Sequence, residues 1–474
     1  MVSMAPFEAT TISSRSHTTA MARRTFVKAL GGLALFTGTT RRACAQPAAG
    51  GGARLVAAPA TVPLNPSAAG PADLWSFTGD AAGARLRAPL GEALALHLTN
   101  ELPQPVSMHV LGLRTENTLD GAAPLAGDAV PPGGERSLAL TPVRPGTFLL
   151  RPAVLAHAAE QSARGLYGTL IVPEPESIAV DEDVIVVLSD WALEKSGALR
   201  ASFGTAEDAG LAGRLGNWLT VNGVTPPQAV RLPQRGRARL RLVNAANARI
   251  FTLRFDAMEA EVIAVDSIAV EPFAPARAML TLLPGGRLDV VVTPGEGATV
   301  SGLFGTSTVP LVTFAATGAP SPHADEPRPA LAAPDLPAAI DLAAALRAEA
   351  VIGGGLDPNR PATDADVTRL WQVNGAAFTD QREPLLRVPR GKPAVLAFTN
   401  QTAFVQALHI HGHHVRLLHP LDDGWEPYWL DTFAVPPGRT VRIAFVADNP
   451  GRWLIGSAIL DRLPAGLATW YEVT

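Results

Sequence analysis

The segment Gln406-Ala407-Leu408-His409-Ile410-His411-Gly412-His413-His414 carries four of the chain's ten histidines within nine residues. His409, His411 and His413 recur with a period of two, which predicts a β-strand with three imidazoles on one face. Imidazole is the commonest side-chain metal ligand, so this face is a candidate metal site. The alternative is a histidine-rich strand whose imidazoles serve only the hydrogen bonding of the fold.

The composition indicates a folded, mildly acidic protein of several domains. The chain has 474 residues, of which 47% are apolar and 17% charged, and it contains 43 glycines and 42 prolines. This length allows two to four domains, and the Gly/Pro content suits short strands joined by turns. The net charge is −4, and residues 1–45 hold six Lys/Arg and one Glu, which leaves −9 for the rest. We therefore expect no nucleic-acid partner.

The N-terminal 45 residues have the pattern of a twin-arginine export signal. Arg23-Arg24 precede a short apolar run, Ala29–Phe36, and Ala43-Cys44-Ala45 offers a small-residue cleavage site before Gln46. The rival interpretations are a membrane anchor and a lipoprotein. The run is too short and glycine-rich to span a bilayer comfortably, and arginines next to the cysteine do not suit lipidation. We predict a periplasmic protein, with no transmembrane segment in the mature chain.

Short apolar runs separated by Asn-Gly and Pro-Gly turns recur from residue 73 onward and predict an all-β protein. Leu94–Asn100 is paralleled by Val395–Asn400, and Trp218–Gly223 is echoed by Leu370–Gly375. Such echoes indicate duplicated domains. The predicted division is a signal peptide (1–45), a flexible N-terminal arm (46–66), three β-sandwich domains (67–176, 177–318 and 361–474) and a Pro/Ala-rich connector (319–360).

The histidine segment and its surrounding strands resemble the multicopper oxidases, laccase-like proteins of three cupredoxin domains. Their third copper-ligand motif reads His-x-x-His-x-His-Gly; here Gln406 takes the first position, and His409 and His411 match the other two. The first-domain motif His-x-His-Gly corresponds to His109–Gly112, in which the second histidine is a leucine. The resemblance covers residues 53–474 and implies three consecutive cupredoxin-like Greek-key β-sandwich domains.

The resemblance implies that the electron-accepting type 1 copper would lie on Gln406, Ser457 and Arg462, with Leu467 at the axial position. Amide and hydroxyl groups are weak copper ligands, and a guanidinium has no lone pair to give. A blue copper site also needs a cysteine thiolate. The only cysteine is Cys44, which leaves with the signal peptide. The resemblance therefore implies that this centre has been lost.

The family's three-copper cluster uses eight histidines, of which His109, His409 and His411 remain. The other five positions hold Leu111, Arg151, Ala153, Gly456 and Ala458. An inward-pointing Arg151 would repel a bound cation, by about 4 kcal/mol for unit charges about 4 Å apart at an effective dielectric constant of about 20. We predict no four-copper complement, and either no cofactor or a single copper ion on these three histidines. Scaffold or surface roles are predicted for His413, His414 and His419.

Two functional hypotheses remain. In the first, the protein is an exported binding or structural factor that has lost blue-copper oxidase activity, with a partner in the periplasm or cell envelope. In the second, it is a copper-dependent oxidoreductase of the multicopper oxidase class, or a copper carrier, that uses the remaining histidines. The first makes the chain a pseudoenzyme of an oxidoreductase family, and the sequence favours it.

We predict that the mature protein begins at or near Gln46, because small residues flank that position as a signal peptidase requires. N-terminal sequencing of the exported protein measures this directly. A mature chain that keeps Arg23-Arg24 would contradict both the export signal and the loss of Cys44.

Overall fold

A computed structural model describes residues 52–357, 359, 366–420, 422 and 424–474, and the predicted signal peptide lies outside them. The regular secondary structure of this part of the chain is almost entirely β-strand. Its two α-helices, α1 (Ala158–Ala163) and α2 (Ala206–Gly210), are short, and no helix within the described ranges is long and apolar enough to cross a bilayer. Single turns of 3-10 helix occur at Asn117–Leu119, Ala276–Ala278, Val367–Arg369, Phe378–Asp380 and Leu460–Arg462.

The first domain is a sandwich of two four-stranded sheets. Its strands are β1 (Ala53–Val62), β2 (Ala72–Ser76), β3 (Ala84–Arg87), β4 (Leu94–Asn100), β5 (Met108–Leu111), β6 (Glu135–Leu140), β7 (Gly146–Pro152) and β8 (Gly168–Val172). The sheet orders are β2-β1-β4-β6 and β3-β8-β7-β5. On β4, Leu94, Leu96 and Leu98 are buried while the residues between them are more exposed. This alternation is what a half-buried strand requires.

The second domain is built from one nine-stranded sheet that folds back on itself. Its strands are β9 (Glu182–Trp191), β10 (Trp218–Val221), β11 (Gln228–Gln234), β12 (Ala238–Asn244), β13 (Phe251–Val265), β14 (Ile268–Phe273), β15 (Met279–Leu282), β16 (Arg287–Phe304) and β17 (Ser307–Pro320). The long strands β13 and β16 pair along most of their length, with register shifts near Met258 and Ala264. Such bulges bend a strand and increase its twist, so one sheet can enclose this core.

The third domain is again a two-sheet sandwich. Its strands are β18 (Leu346–Gly354), β19 (Trp371–Val373), β20 (Leu386–Val388), β21 (Pro393–Asn400), β22 (Gln406–Ile410), β23 (Arg416–Leu418), β24 (Thr432–Val435), β25 (Thr440–Val446), β26 (Gly451–Ser457) and β27 (Ala468–Val473). The five-stranded sheets have the orders β19-β18-β21-β25-β23 and β20-β27-β26-β22-β24. The second sheet carries the histidine segment on β22, which lies between β26 and β24.

A buried asparagine ends the corresponding strand of each domain. Asn100, Asn244 and Asn400 have no solvent exposure. In each case the side-chain amide donates to two backbone carbonyls, and its oxygen accepts the N–H two residues ahead, with distances of 2.8–3.0 Å. Each strand also pairs in parallel with the first strand of its own domain. The repeat seen in the sequence thus has a physical basis, since a buried amide must be fully hydrogen-bonded.

Two predicted boundaries were wrong. The segment 46–66, predicted to be a flexible arm, contributes β1, which lies between β2 and β4 and buries Leu55 and Ala57. The segment 319–360, predicted to be a connector, contains β18, which lies between β19 and β21 in a third-domain sheet. In both cases a composition rich in alanine and proline suggested irregular structure, but the segment forms a strand because it pairs with a strand distant in the sequence.

A buried carboxylate lies at the junction of the second and third domains. Asp461 accepts hydrogen bonds from the Arg214 backbone N–H at 2.9 Å and from the Asn247 side chain at 3.2 Å. Burial, together with the nearby charge of Asp208, raises its pKa to about 6. The charged form is therefore less favourable in the folded protein than in the unfolded chain.

We predict that Asp461→Asn changes the pH dependence of stability. Because the folded-state pKa exceeds the unfolded value, the wild type binds an extra proton on folding between about pH 6 and pH 4, and this contribution is lost as the pH rises through 6. Relative to the variant, the wild type should gain on the order of 2 kcal/mol between pH 7 and pH 4. Denaturant unfolding at several pH values measures the difference. The exposed Asp73→Asn is the control, and a pH-independent difference would contradict the prediction.

Candidate metal centre

Three buried imidazoles from the first and third domains converge at one point. His109 lies on β5, His409 on β22 and His411 just beyond that strand, and each is about 6% exposed. The Nε2 atoms of His109 and His409 are 3.0 Å apart, and one ligand nitrogen from each of the three residues lies within 4.8 Å of the others. In the part of the chain that the structure describes, this histidine triad is the one such group of potential metal ligands.

Asp120 contacts the Nδ1 atoms of two members of the triad, on the side of each ring away from Nε2. Its carboxylate accepts from His411 Nδ1 at 2.9 Å and lies 3.1 Å from His109 Nδ1, and its backbone carbonyl accepts from the same nitrogen at 2.9 Å. The carboxylate is fully buried, which would raise its pKa, but the facing imidazoles hold the pKa well below its usual range. Asp120 is therefore a fixed anion that orients both rings.

Asp431 has the same role for the third imidazole. His409 Nδ1 donates to the Asp431 backbone carbonyl and to Thr432 Oγ1, both at 3.1 Å, and lies 3.3 Å from the Asp431 carboxylate. That carboxylate in turn receives two hydrogen bonds from Arg287 of the second domain, at 2.9 and 2.5 Å. All three domains thus contribute to the geometry of the triad.

The protonation of the triad follows from these partners. The Nδ1 atoms face oxygen acceptors, so each carries a hydrogen, and the Nε2 atoms of His109 and His409 face one another. Burial lowers the pKa of His409 to about 3 and also lowers that of His411. Burial has the same effect on His109, but the charge and hydrogen bonds of Asp120 outweigh it and raise the pKa. A hydrogen bond between the two close Nε2 atoms requires a hydrogen on one of them, and these opposite pKa shifts favour His109 as the donor.

The donor set of the triad fits one metal ion. Histidine ligands in metal sites typically donate their second ring N–H to a carboxylate or carbonyl, which fixes the tautomer and ring orientation. Three such nitrogens with a remaining position for water suit zinc or copper. A bound ion would take the place of the proton that lies between His109 and His409.

The remaining positions of the three-copper cluster do not fit copper. They line a cavity of about 40 Å³ next to the triad: Leu111, Arg151, Ala153, Gly456 and Ala458. The Arg151 guanidinium donates to the Ala246 and Ala458 carbonyls at 2.7 and 3.3 Å. Burial lowers the pKa of Arg151 to about 9, so it remains cationic at neutral pH. The cavity is thus lined by a positive charge and, apart from the triad, by no imidazole, thiolate or carboxylate.

A second buried guanidinium lies among the residues that the family resemblance assigns to the type 1 copper. Arg462 donates to Gln406 Oε1 at 2.5 Å and to the Val405 and Leu211 carbonyls, each at 2.8 Å. Its guanidinium carbon lies 4.7 Å from the centre of the Trp371 ring, a cation–π contact. Burial lowers the pKa of Arg462 to about 9. The position that would hold a copper ion in the family therefore holds an organic cation.

The prediction that His413 shares a face with His409 and His411 was wrong. Strand β22 ends at Ile410, and Gly412 turns the chain with a φ of +79°. His413 instead lies 2.6 Å from the Tyr471 hydroxyl and accepts the Asn449 N–H. His413 and His414 are buried parts of the scaffold, while His419 is partly exposed beside Asp422.

The anchors Asp120, Asp431 and Arg287 were missed in the sequence. Asp120 is 291 residues from its partner His411, and Arg287 is 144 residues from Asp431. No local spacing signals such pairs. Asp120 and Asp431 each follow a leucine at the end of a short segment, which is too common a pattern to single them out.

Comparisons with known proteins agree with the architecture. Three family models described as multicopper oxidase match residues 60–177, 182–300 and 356–474. The multicopper oxidase MmcO of Mycobacterium tuberculosis is 26% identical over 82% of this chain and 80% of its own length. The cell division protein FtsP of Photorhabdus laumondii is 30% identical over 76% of each chain. Several other relatives are matched over only 38–49% of their length.

The crystal structure of a multi-copper oxidase from Pseudomonas thermotolerans superposes with a TM-score of 0.78 and 27% identity, over 89% of this chain and 98% of that one. The predicted all-β fold of three cupredoxin-like Greek-key domains is therefore confirmed. Matched by family models in all three of its domains, the chain belongs to the multicopper oxidase family.

Proposed function

We propose that this protein does not reduce oxygen with four copper ions and acts as a binding or structural factor of the cell envelope. The observation that carries the proposal is the Arg462 guanidinium, which occupies the type 1 position and is hydrogen-bonded to Gln406. An electron-accepting centre built on a permanent cation and an amide has no redox-active group. Without a redox-active type 1 centre, the protein has no group that accepts electrons from a substrate.

The second copper centre supports the same proposal. Of eight cluster positions, three keep an imidazole, and Arg151 adds a buried positive charge to the adjoining cavity. Coulomb repulsion between this guanidinium and a second or third copper ion is not offset by further side-chain ligands. At most one ion fits, and one ion cannot deliver four electrons.

The relatives support a role other than oxidation. One relative matched across three quarters of both chains has the name of a cell division protein. A relative that shares most of this chain's length is therefore named for cell division and not for oxidation. For this chain we infer a partner in the cell envelope, and the twin-arginine pattern at Arg23-Arg24 supports export to the periplasm.

We predict that protein purified and incubated with copper shows no intense blue absorption and no oxygen uptake with phenolic substrates. The type 1 position lacks a thiolate and both imidazoles, so neither signal has a source. An oxygen electrode and a visible spectrum measure the two properties. Ser457→Cys should not restore either property, because Gln406 and Arg462 remain. Copper-dependent oxygen uptake by the wild type would overturn the proposal.

A second candidate function is single-metal binding, as a copper carrier or a copper-dependent oxidoreductase. The observation that favours it is the convergence of three imidazoles, in which the Nε2 atoms of His109 and His409 lie 3.0 Å apart and the Nδ1 atoms are already held by Asp120 and Asp431. When bound, copper or zinc would supply Lewis acidity, and copper also one-electron redox chemistry. The protein's own contribution is to keep the three rings oriented and buried.

For this candidate we predict that copper or zinc raises the melting temperature, because an ion bound between the first and third domains stabilises only the folded state. With free metal at about 100 times its dissociation constant, the stabilisation is roughly 2.7 kcal/mol, which corresponds to a rise of a few degrees. Calorimetry or fluorescence melting with and without the metal measures the shift.

The double variant His109→Ala/His409→Ala should abolish the metal-dependent shift. The matched control is His97→Ala/His419→Ala, which removes two partly exposed imidazoles and should leave the shift intact. A shift that persists in the triad variant would show adventitious binding and remove this candidate. Its loss in the triad variant alone would place the metal at the triad.

A further inference from the structure

The small cavity next to the triad contains a buried cation to which the described residues supply no counterion. The cavity is lined by the three triad histidines and by Arg151, and every residue of its lining is buried. We call it the Arg151 cavity. Its volume of about 40 Å³ exceeds the roughly 10–15 Å³ that one water molecule needs, so it has room for a small ligand.

Strand pairing places Arg151 beside the triad. Arg151 on β7 is the cross-strand partner of His109 on β5, and such partners have Cβ atoms about 4.5–5.5 Å apart on one face of the sheet. The Nη groups of Arg151 reach the Ala246 and Ala458 carbonyls. Its buried Nε–H has no acceptor among the described residues. A fully buried guanidinium that lines a cavity thus keeps one N–H group without a protein partner.

The charge of Arg151 is also unmatched by an ion pair. Among the described residues no carboxylate forms an ion pair with it, and the one carboxylate whose charge raises its pKa is the more distant Asp461. By contrast, Asp431 pairs with Arg287, and Asp120 faces the imidazoles that it orients. Because a buried charge is costly unless it is paired, the cavity side of Arg151 favours an anion.

Two other buried arginines show why the cavity matters. Arg287 and Arg462 also have an Nε–H without an acceptor, but neither lines the Arg151 cavity. Arg287 has Asp431 as its counterion, and the guanidinium of Arg462 packs on the Trp371 ring. Of the three, Arg151 alone combines an unpaired N–H group, the lack of an ion pair and an adjoining cavity.

The rest of the lining restricts the kind of anion. Apart from Arg151 and the triad, most of the lining is apolar, and the Ser457 hydroxyl already donates to the Ile459 carbonyl. The cavity therefore supplies one charge-assisted donor and few other polar groups. A strongly hydrated dianion such as sulfate would lose far more hydrogen bonds with water than it regains. A weakly hydrated monovalent anion loses the least.

We propose that the Arg151 cavity binds one small monovalent anion of the halide class, which accepts the Arg151 Nε–H and serves as the missing counterion. A water molecule can accept the same N–H group, but it leaves the charge unmatched. This inference goes beyond the proposed function. It requires neither a metal on the triad nor a protein partner, so it stands or falls independently of both.

The test measures the melting temperature of the mature protein, freed of metal by a chelator, as bromide replaces sulfate at constant low ionic strength. Sulfate is excluded from protein surfaces and stabilises folded proteins in general, so the general salt effect of this exchange lowers the melting temperature. A bound anion has the opposite effect, because it stabilises only the folded state. We expect the wild type to gain a few degrees in bromide, with a saturating concentration dependence.

Three variants locate the effect. Arg151→Gln removes the cation, and Ala153→Leu keeps the cation but fills the cavity that Ala153 lines. Both should lose the rise in bromide. Arg54→Gln removes an exposed arginine and should keep it. If Arg151→Gln does not fold, Ala153→Leu decides. The proposal is overturned if the wild type shows no rise, or if the rise persists in Ala153→Leu.

Crystals soaked in bromide locate the ion directly. An anomalous difference peak within hydrogen-bond distance of Arg151 Nε is expected in the wild type and should be missing in Ala153→Leu. Bromide found at the protein surface but not in the cavity would mean an adventitious ion only, and would overturn the proposal.

Discussion

The arrangement of the three domains depends on how three fully buried arginines find acceptors. A guanidinium removed from water is costly unless its N–H groups are hydrogen-bonded. Arg151 of the first domain reaches carbonyls of the second and third, and Arg287 of the second reaches Asp431 of the third. Arg462 of the third domain reaches the Leu211 carbonyl of the second. Each of these guanidiniums therefore joins two or more domains through its Nη groups, while its buried Nε–H has no protein acceptor.

Two of these arginines, Arg462 and Arg151, also affect metal binding at the positions that the family resemblance assigns to copper. Arg462 and Arg151 lie at the two positions where the family resemblance places copper, and both keep their charge at neutral pH despite burial. A copper ion at either position would have to displace a guanidinium that also joins two domains. Restoring a single ligand cannot achieve this, since the cation and its packing against Trp371 would remain.

The sequence predicted the all-β fold and the meeting of His109 with His409 and His411, because strand periodicity and the family resemblance are local signals. The sequence could not predict which acidic residues accept hydrogen bonds from these histidines. Asp120 and Asp431 are selected by the tertiary fold from a chain with 43 acidic residues, and nothing in their neighbourhood marks them. The predicted position of His413 was wrong because the prediction extended strict alternation past Gly412. Strand β22 ends at Ile410, and the chain turns at Gly412, which has a positive φ.

Two features of the triad need a physical explanation: the hydrogen bonds of its Nδ1 atoms and the closeness of two of its Nε2 atoms. The buried Asp120 carboxylate faces the Nδ1 atoms of His411 at 2.9 Å and of His109 at 3.1 Å, so replacing either ring with an apolar side chain would leave a desolvated carboxylate short of a donor. The histidines are thus required by the scaffold whether or not a metal binds, and their presence alone says little about metal. The convergence of the Nε2 atoms is different, because the scaffold role uses only Nδ1. Only a proton or a metal ion accounts for two such nitrogens lying 3.0 Å apart, and these two occupants compete for the same place.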